Sequence, residues 1–568
     1  MAFEINEKCI CCRMCEAVCP TKAIYYKGKT FAINPDKCVM CGTCLGYCNR
    51  NAITTPGQTV PSKAVCAPRS QNCDLVVVGG GGAGLITAVR FAEQTGKQVI
   101  LLEKAENLGG SAWYAAGMMI PASDLGLSMG VPDTREEMKA RVRQESAPYG
   151  GIDNELIDVT VDAQKDVFDW FCQLPGFGDQ FDVRMTPHHV MGLDYAHCIT
   201  GGRGGLGRYV VIRMKQRLEE LGVTVYTNCE ATELITDSTG AISGVKAKDQ
   251  DGDLEIQCRA VMLASGSFIC NKKMMERVCP FFATARKKIQ GHLYPTLTGD
   301  GIRMGEEIGA KVLWENMNVC LKGPSPMPLT HILQATGEWP ENIFVNLDGA
   351  RWMNEGAVAR LSHTMGQDIQ DMTDLFLHQP QAHSLSIFDS HILEHSISYY
   401  LNPNHGNDFN KLTQEDVDGI HYFLESDDHT MAKADTIQEL AQIMELNPDI
   451  LQNTIQHYNE MCRNGCDADF GKPSEYLKPI ENGPFYAIRC YPFCDGAFGG
   501  FPITTKMEVL KESGGVLPGL YAGGDITDSR FIPFTHGWDK KTQIMTDLPW
   551  AYVSGFLAAD SIAAYLEQ

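Results

Sequence analysis

Cys9, Cys12, Cys15 and Cys19, with Pro20 behind them, form a C-x2-C-x2-C-x3-C-P run, and Cys38, Cys41, Cys44 and Cys48 repeat its spacing. Three thiolates this close together can wrap one face of a [4Fe–4S] cube, while the more distant fourth reaches the cube of the other run. Cys9, Cys12, Cys15 and Cys48 are therefore assigned to one cluster, and Cys38, Cys41, Cys44 and Cys19 to the other. A zinc site would use two CxxC pairs and has no need of a third and fourth cysteine at this spacing. Cys11 lies outside the register, and Asn49 stands where the first run has its proline, which bears on the turn more than on ligation.

The double run is that of the bacterial ferredoxins, so residues 1–54 are expected to form a ferredoxin-like 2[4Fe–4S] module. Within residues 1–50, seven Lys/Arg face four Asp/Glu, leaving the polypeptide at +3. Positive surroundings suit eight buried thiolates, and an acidic ferredoxin or flavodoxin is the electron partner that such a face would accept.

A second chemistry-bearing pattern follows. Asp74 to Val78 reads as a strand, Gly79-x-Gly81-x-x-Gly84 as a turn, and Leu85 to Thr95 as a helix; a further strand, Gln98 to Leu102, ends at Glu103. This is the dinucleotide fingerprint: Gly79 makes the tight turn, Gly81 admits a pyrophosphate, Gly84 lets helix and strand pack, and Glu103 binds a ribose hydroxyl. Gly82 and Ala83 open the helix whose amides face the phosphates. NAD and FAD share the fingerprint. Gly519 to Asp525 reads as a strand ending in a Gly-Gly-acid turn suited to a ribityl chain, with Gly524 and Asp525 as contacts, and an apolar helix begins near Leu548. That arrangement favours a flavin, whose N1/O2 edge a helix N-terminus would stabilise.

The elements that must position these groups are too many for one core, since single cores stop growing near ~250–300 residues and the chain has 568. Residues 55–72, with three prolines, read as a linker. The net charge of −22 argues against nucleic acid and anionic membrane as partners. No basic n-region or apolar h-region opens the chain, so a cytoplasmic location is expected. The apolar stretch from Trp550 to Leu566 is interrupted by Asp560 and Ser561 and reads as a buried terminal helix. Fourteen cysteines beyond the eight ligands show no regular pairing, as suits a reducing compartment.

Residues from about 73 onward resemble the fumarate reductase/succinate dehydrogenase flavoprotein superfamily, which includes 3-ketosteroid dehydrogenases and urocanate reductases. The segments that carry the resemblance are Glu103-Lys104, Leu108 to Ser111, Ala115 to Gly117, Ala264 to Phe268, Thr298 to Gly301, Val345-Asn346 through Arg351 to Glu355, Gly483 to Ala487, and Pro518 to Asp525. The resemblance implies an α/β fold: a Rossmann-type FAD-binding domain in two parts, 73–318 and 496–568, with an α+β capping domain of residues 319–495 inserted between them. It also implies FAD contacts at Lys104, Gly109, Gly110, Ser111, Ala116, Gly117, Ala231, Ser265, Gly266 and Asp300.

The family's dicarboxylate anchors do not carry over. The first histidine's place falls near Cys320, His-His-Thr-Met-Gly-Gly is replaced by Asp495 to Gly500, and Thr535-His536-Gly537-Trp538 stands where the family has an arginine. A second carboxylate would be buried unpaired, which argues against fumarate. Arg360 falls one residue beyond the family's proton-donor position and reads equally as that donor or as a salt-bridged arginine of the cap. Met118 to Thr134 is similar to a stretch of ketosteroid dehydrogenases, which polarise a carbonyl with tyrosines. Tyr114 is the candidate here, with Tyr294, Tyr399 and Tyr400 as alternatives, and His536 is a candidate substrate ligand or acid. Cys320 and Cys494 are candidate lining residues or simply small buried hydrophobes.

A flavin couples one-electron clusters to hydride chemistry. The expected activity is reduction of a conjugated C=C bond in an unsaturated carbonyl substrate, with electrons entering from an external donor through both clusters. Two other readings stay open: the same wiring run backwards as a desaturating dehydrogenase, and an electron-transfer subunit of a larger complex. A homo-oligomer is compatible with all three.

Overall fold

The computed structural model describes residues 3–9, 15, 19, 23–28, 30–38, 44, 48, 52–54, 69–115, 117–147, 153–175, 177, 183–190, 193–200, 206–278, 290–291, 296–326, 331–357, 375–402, 412–425, 429–528 and 548–568. Its largest core is built on a six-stranded sheet. In spatial order the strands are Thr224–Tyr226, Val99–Leu102, Leu75–Val78, Ala260–Leu263, Val516–Ala522 and Glu508–Leu510. The first five run parallel, and Glu508–Leu510 closes the edge antiparallel. Leu75–Val78, Val99–Leu102 and Ala260–Leu263 are buried at every position, as continuous apolar runs covered on both faces must be.

Two helices stack beside this sheet. Gly82–Thr95 packs on Leu548–Leu566 so closely that a Cβ at Gly555 would lie 2.4 Å from the Ala83 carbonyl oxygen. Thr87 Oγ1 donates to the Gly555 carbonyl at 3.0 Å. Asp560, which interrupts the apolar run, accepts from Arg90 at 2.7 and 3.0 Å, and the Arg90 guanidinium lies 3.4 Å from the Phe556 ring centroid. Among the described residues, no helix is long and apolar enough to cross a membrane.

A four-stranded sheet, ordered Glu230–Thr236, Ile242–Asp249, Gly252–Gln257 and Arg69–Asn72, flanks the first. Its edge corrects the expected linker of 55–72: Arg69–Asn72 is a strand, parallel to Gly252–Gln257, and only residues 55–68 lie outside the described chain. Arg-Ser-Gln-Asn carries no apolar alternation, because the strand is held by its ladder and by Arg69 on Asp249 at 2.6 Å.

The cap's sheet is built on the long strand Phe485–Phe498, which pairs with Asn318–Pro326, Ser384–Asp389 and Met431–Ala434 antiparallel and with Gln290–Gly291 parallel. Both expected cap boundaries, 319 and 495, fall inside these strands. A buried charge cluster pins the cap's loops. Arg351 donates to Glu355 at 2.6 Å and to Asp467 at 2.7 Å, and the fully buried Lys472 ammonium donates to Tyr458 Oη at 3.0 Å and to the Asn342 carbonyl at 2.8 Å.

At the N-terminus, Glu4–Ile5 pairs antiparallel with Ile53–Thr54, and Ile24–Tyr26 with Phe31–Ile33. The two halves repeat one another. Cys15 and Cys44 are buried, and the Ala23 amide lies 3.2 Å from Cys19 Sγ just as the Ala52 amide lies 3.3 Å from Cys48 Sγ. Cys9, Cys15, Cys19, Cys38, Cys44 and Cys48 form no disulfide, and Cys12 and Cys41 lie outside the described residues.

Candidate functional site

The strand–turn–helix beginning at Leu75 builds the floor of the site. Gly79 has φ +106°, and a Cβ there would lie 2.3 Å from the Ala264 carbonyl oxygen, so the tight turn needs glycine. A Cβ at Gly84 would lie 1.9 Å from the Gly79 carbonyl oxygen, which fixes the close packing of helix on strand. At Gly81, by contrast, a Cβ would meet nothing within 4 Å. Gly81 caps the helix Gly82–Thr95 without a side-chain hydrogen bond, and the helix starts inside the glycine motif instead of at Leu85. Its first amides therefore remain directed at the cavity in front of them, a site ready for an anion.

That cavity holds about 900 Å³ of open space including its mouth. Gly79, Gly81, Gly82, Ala83, Glu103, Lys104, Gly110, Ser111, Ala231, Ser265, Gly266, Asp300, Gly524, Asp525 and Leu548 all line it, so segments more than 400 residues apart in the chain meet there. Gly84, Gly109 and Gly117 are not among its lining residues: Gly109 donates its amide to the Gly80 carbonyl at 2.8 Å, and Gly117 pairs with Ile199 in a three-stranded sheet. Cys229, Glu230, Thr296, Leu297, Gly523 and Ala551 also line the cavity and were not anticipated. Their signal is positional: Gly523 is the first glycine of the expected Gly-Gly-acid turn, and Ala551 lies in the first turn of the helix Leu548–Leu566.

Glu103 is buried at the cavity wall. Its carboxylate accepts the Gly80 amide at 2.8 Å and the Ala105 amide at 2.6 Å. Burial pushes its pKa up, and those two amides and Lys104 pull against that push. Lys104 bridges Asp300 and Thr298 at 2.8 Å each and Glu230 at 3.2 Å. Burial alone would lower its pKa, but the Asp300 and Glu230 carboxylates outweigh it and raise it. Ser265 Oγ is buried in the wall with no hydrogen-bond partner among the described residues, as a group awaiting a polar ligand would be. The Gly523–Gly524 turn is held from behind, where the Gly524 amide donates to Ser554 Oγ at 2.9 Å and Trp550 Nε1 donates to the Gly524 carbonyl at 3.2 Å.

These features decide the cofactor class: a glycine-bounded helix start, a buried carboxylate, an orphan hydroxyl and a second glycine turn, all on one cavity. Residues 74–537 match the FAD binding domain family. The chain belongs to that family. It is a flavin-dependent oxidoreductase, and residues 1–73 lie outside the matched span. It is 29% identical to urocanate reductase of Eggerthella lenta, over 80% of this chain and 69% of that one. Vinyl phenol reductase of Lactiplantibacillus plantarum is 28% identical, over 87% and 97%. Among solved structures, the open conformation of a flavocytochrome c3 fumarate reductase shares the fold with a TM-score of 0.67 and 22% identity, covering 88% of this chain and 79% of that one. A 3-ketosteroid-Δ4-(5α)-dehydrogenase from Rhodococcus jostii RHA1 does so with 0.59 and 23%, covering 87% and 99%.

The pairing of Asn318–Pro326 with Phe485–Phe498 brings together two places that are remote in sequence. Cys320 on Asn318–Pro326 pairs with Gly496 on Phe485–Phe498, and Leu321 pairs with Cys494. These are the two places where the dicarboxylate-anchoring histidines were sought. Arg360, His536, Ala116 and Tyr294 lie outside the described residues. Tyr114 ends the turn Gly110–Tyr114 beside the cavity. Tyr399 and Tyr400 pack with Trp339 and each other on the helix Ser390–Leu401, at ring distances of 5.2–5.7 Å. Among the described residues, no three Cys, His, Asp or Glu converge into a metal-holding group.

Proposed function

We propose that the chain reduces an activated C=C bond in an enone or enoate other than fumarate, using FAD and two [4Fe–4S] clusters. The observation that carries the substrate class is the pairing of Cys320 with Gly496, which leaves neither anchoring histidine at the places aligned in the cap. The relatives named for urocanate and vinyl phenol reduction support a reductase acting on a conjugated double bond.

When bound, FAD supplies hydride chemistry and the clusters supply single electrons. Glu103 holds a ribose hydroxyl through lone pairs that the Gly80 and Ala105 amides leave free. The helix start at Gly82 and the open face of Gly81 receive the pyrophosphate, and Ser265 Oγ donates to the cofactor. The Gly523–Asp525 turn and the start of Leu548–Leu566, which line the same cavity, would hold the rest of the cofactor. Arg360, His536 and Tyr114 are the candidates for the α-carbon proton and for the hydrogen bond to the substrate carbonyl. Fit of the clusters rests on thiol chemistry: six cysteines in the expected register, two of them buried, with amides on the sulfurs of Cys19 and Cys48. The place of work is the cytoplasm, with a ferredoxin- or flavodoxin-type donor.

The test is anaerobic reduction with dithionite followed by a panel containing urocanate, vinyl phenols, steroid enones and fumarate, with flavin reoxidation followed by absorbance. Reoxidation by conjugated compounds and not by fumarate is expected. Reoxidation by fumarate alone overturns the substrate class, and reoxidation by none of them favours an electron-transfer subunit. The relative named 3-oxosteroid 1-dehydrogenase supports the desaturating direction as a second reading; reduction of the oxidised flavin by a saturated ketosteroid would establish it.

A further inference from the structure

The N-terminal module does not stand free. Its core residues Phe3, Cys15, Ile24, Tyr26, Phe31, Cys44 and Ile53 join one continuous apolar cluster with the cap, whereas the sheet beside the FAD cavity belongs to a separate cluster. The seam is formed by the hairpin Ile24–Ile33 and the cap's short helices Gln414–Asp418 and Ile420–Leu424. Tyr26 stacks on the buried Phe423 with ring centroids 4.5 Å apart and planes 16° from parallel. Tyr25 meets Tyr422 at 5.9 Å, and Lys37 pairs with Glu415 at 3.3 Å. Around these contacts the seam keeps about 1020 Å³ of open space including its mouth, lined by Tyr25, Tyr26, Phe31, Lys37, Glu415 and Tyr422 among others. A seat of aromatic anchors and one surface ion pair joins two folded units through a small set of side chains.

We propose that the cap carries the N-terminal module, with Tyr25, Tyr26, Lys37, Glu415, Tyr422 and Phe423 as positioning residues. The position of the cap then sets the distance between the module and the flavin domain. Electron delivery to the flavin then depends on the integrity of this seat. The electron-transfer half of this inference rests on the cluster reading; the seat itself does not.

The experiment uses the full chain and two surface substitutions on the module, Tyr25→Ala with Lys37→Glu, plus Phe423→Ala on the cap and Phe423→Tyr as its conservative partner. Hydrogen exchange of the amides in 24–33 and 414–424 reads the seat with or without iron. Both weakened variants are expected to exchange at least tenfold faster at these amides, while Phe423→Tyr stays within threefold of the parent. In the second arm, dithionite reduces the clusters, and the flavin accepts two electrons, one from each cluster, followed by stopped-flow absorbance. That step is expected to slow at least tenfold in the weakened variants, while reoxidation of fully reduced flavin by substrate stays unchanged. Unchanged exchange in the module double variant overturns the seat. Faster exchange with unchanged cluster-to-flavin transfer overturns the coupling. Parent protein without iron or sulfide overturns the cluster reading and the coupling while leaving the exchange result to decide the seat.

Discussion

Glu103 keeps a carboxylate at 8% exposure because two backbone amides converge on it. Replacing it by alanine strands the Gly80 and Ala105 amides in a buried wall, at a cost of about 2–3 kcal/mol. Glu103→Ala is therefore expected to lower stability by that amount in denaturant melts and to weaken FAD binding at least ~10-fold in a titration; unchanged FAD affinity would remove Glu103 from the cofactor's ribose. A second residue-scale prediction concerns acid. Burial works to raise the Asp467 pKa, but the Arg351 hydrogen bond and charge, with the Lys472 and Phe470 amides, outweigh it and hold the carboxyl down at about 2. Its folded pKa lies below the unfolded value of ~3.9, so its contribution is complete above that pH and is lost as pH falls toward 2. Asp467→Asn should cost about 2 kcal/mol at neutral pH and flatten the decline of stability between pH 4 and pH 2, read by thermal melts across that window. The fingerprint glycines and Glu103 were legible because their spacing is local, whereas the partners of Glu103 were not: a carboxylate's choice between two amides is made by the turn that brings them to it.

At the scale of elements, two glycines of one motif predict opposite failures. Gly84→Ala places a methyl 1.9 Å from a backbone oxygen that cannot retreat without moving the strand, so the variant is expected to be insoluble or destabilised by more than ~3 kcal/mol. Gly81→Ala puts its methyl into open space, so the apoprotein should fold with parent-like circular dichroism and retain less than a tenth of the parent's FAD. A Gly81→Ala protein that keeps its flavin would show that no phosphate approaches that face. The periodicity read the central strands and the terminal helix well because their burial is continuous. It read Arg69–Asn72 as a linker because an edge strand held by its ladder needs no apolar residue, and it started the helix at Leu85 because glycine ordinarily ends helices; here Gly82 and Gly84 are helical, and at Gly84 the packing admits nothing larger.

For the whole molecule, the module, cap and flavin domain make one prediction of composition: the anaerobically purified chain should contain one FAD, about eight irons and about eight inorganic sulfides. Cys19→Ala with Cys48→Ala should remove ligands from both clusters and leave FAD binding to the separate flavin-domain core. Iron and sulfide analysis beside the flavin absorbance checks this, and parent-level iron in that double variant would refute the ligand assignment. The chain by itself determined the chemistry-bearing spacings, the Rossmann-type start and the order of the segments, because each depends on neighbours a few residues apart. Only the tertiary structure decided that Cys320 pairs with Gly496, that Tyr399 and Tyr400 pack on Trp339 and that the N-terminal module sits on the cap. Those relations join residues tens to hundreds of positions apart, and their register is set by strand pairing and by the burial of faces that no local pattern records.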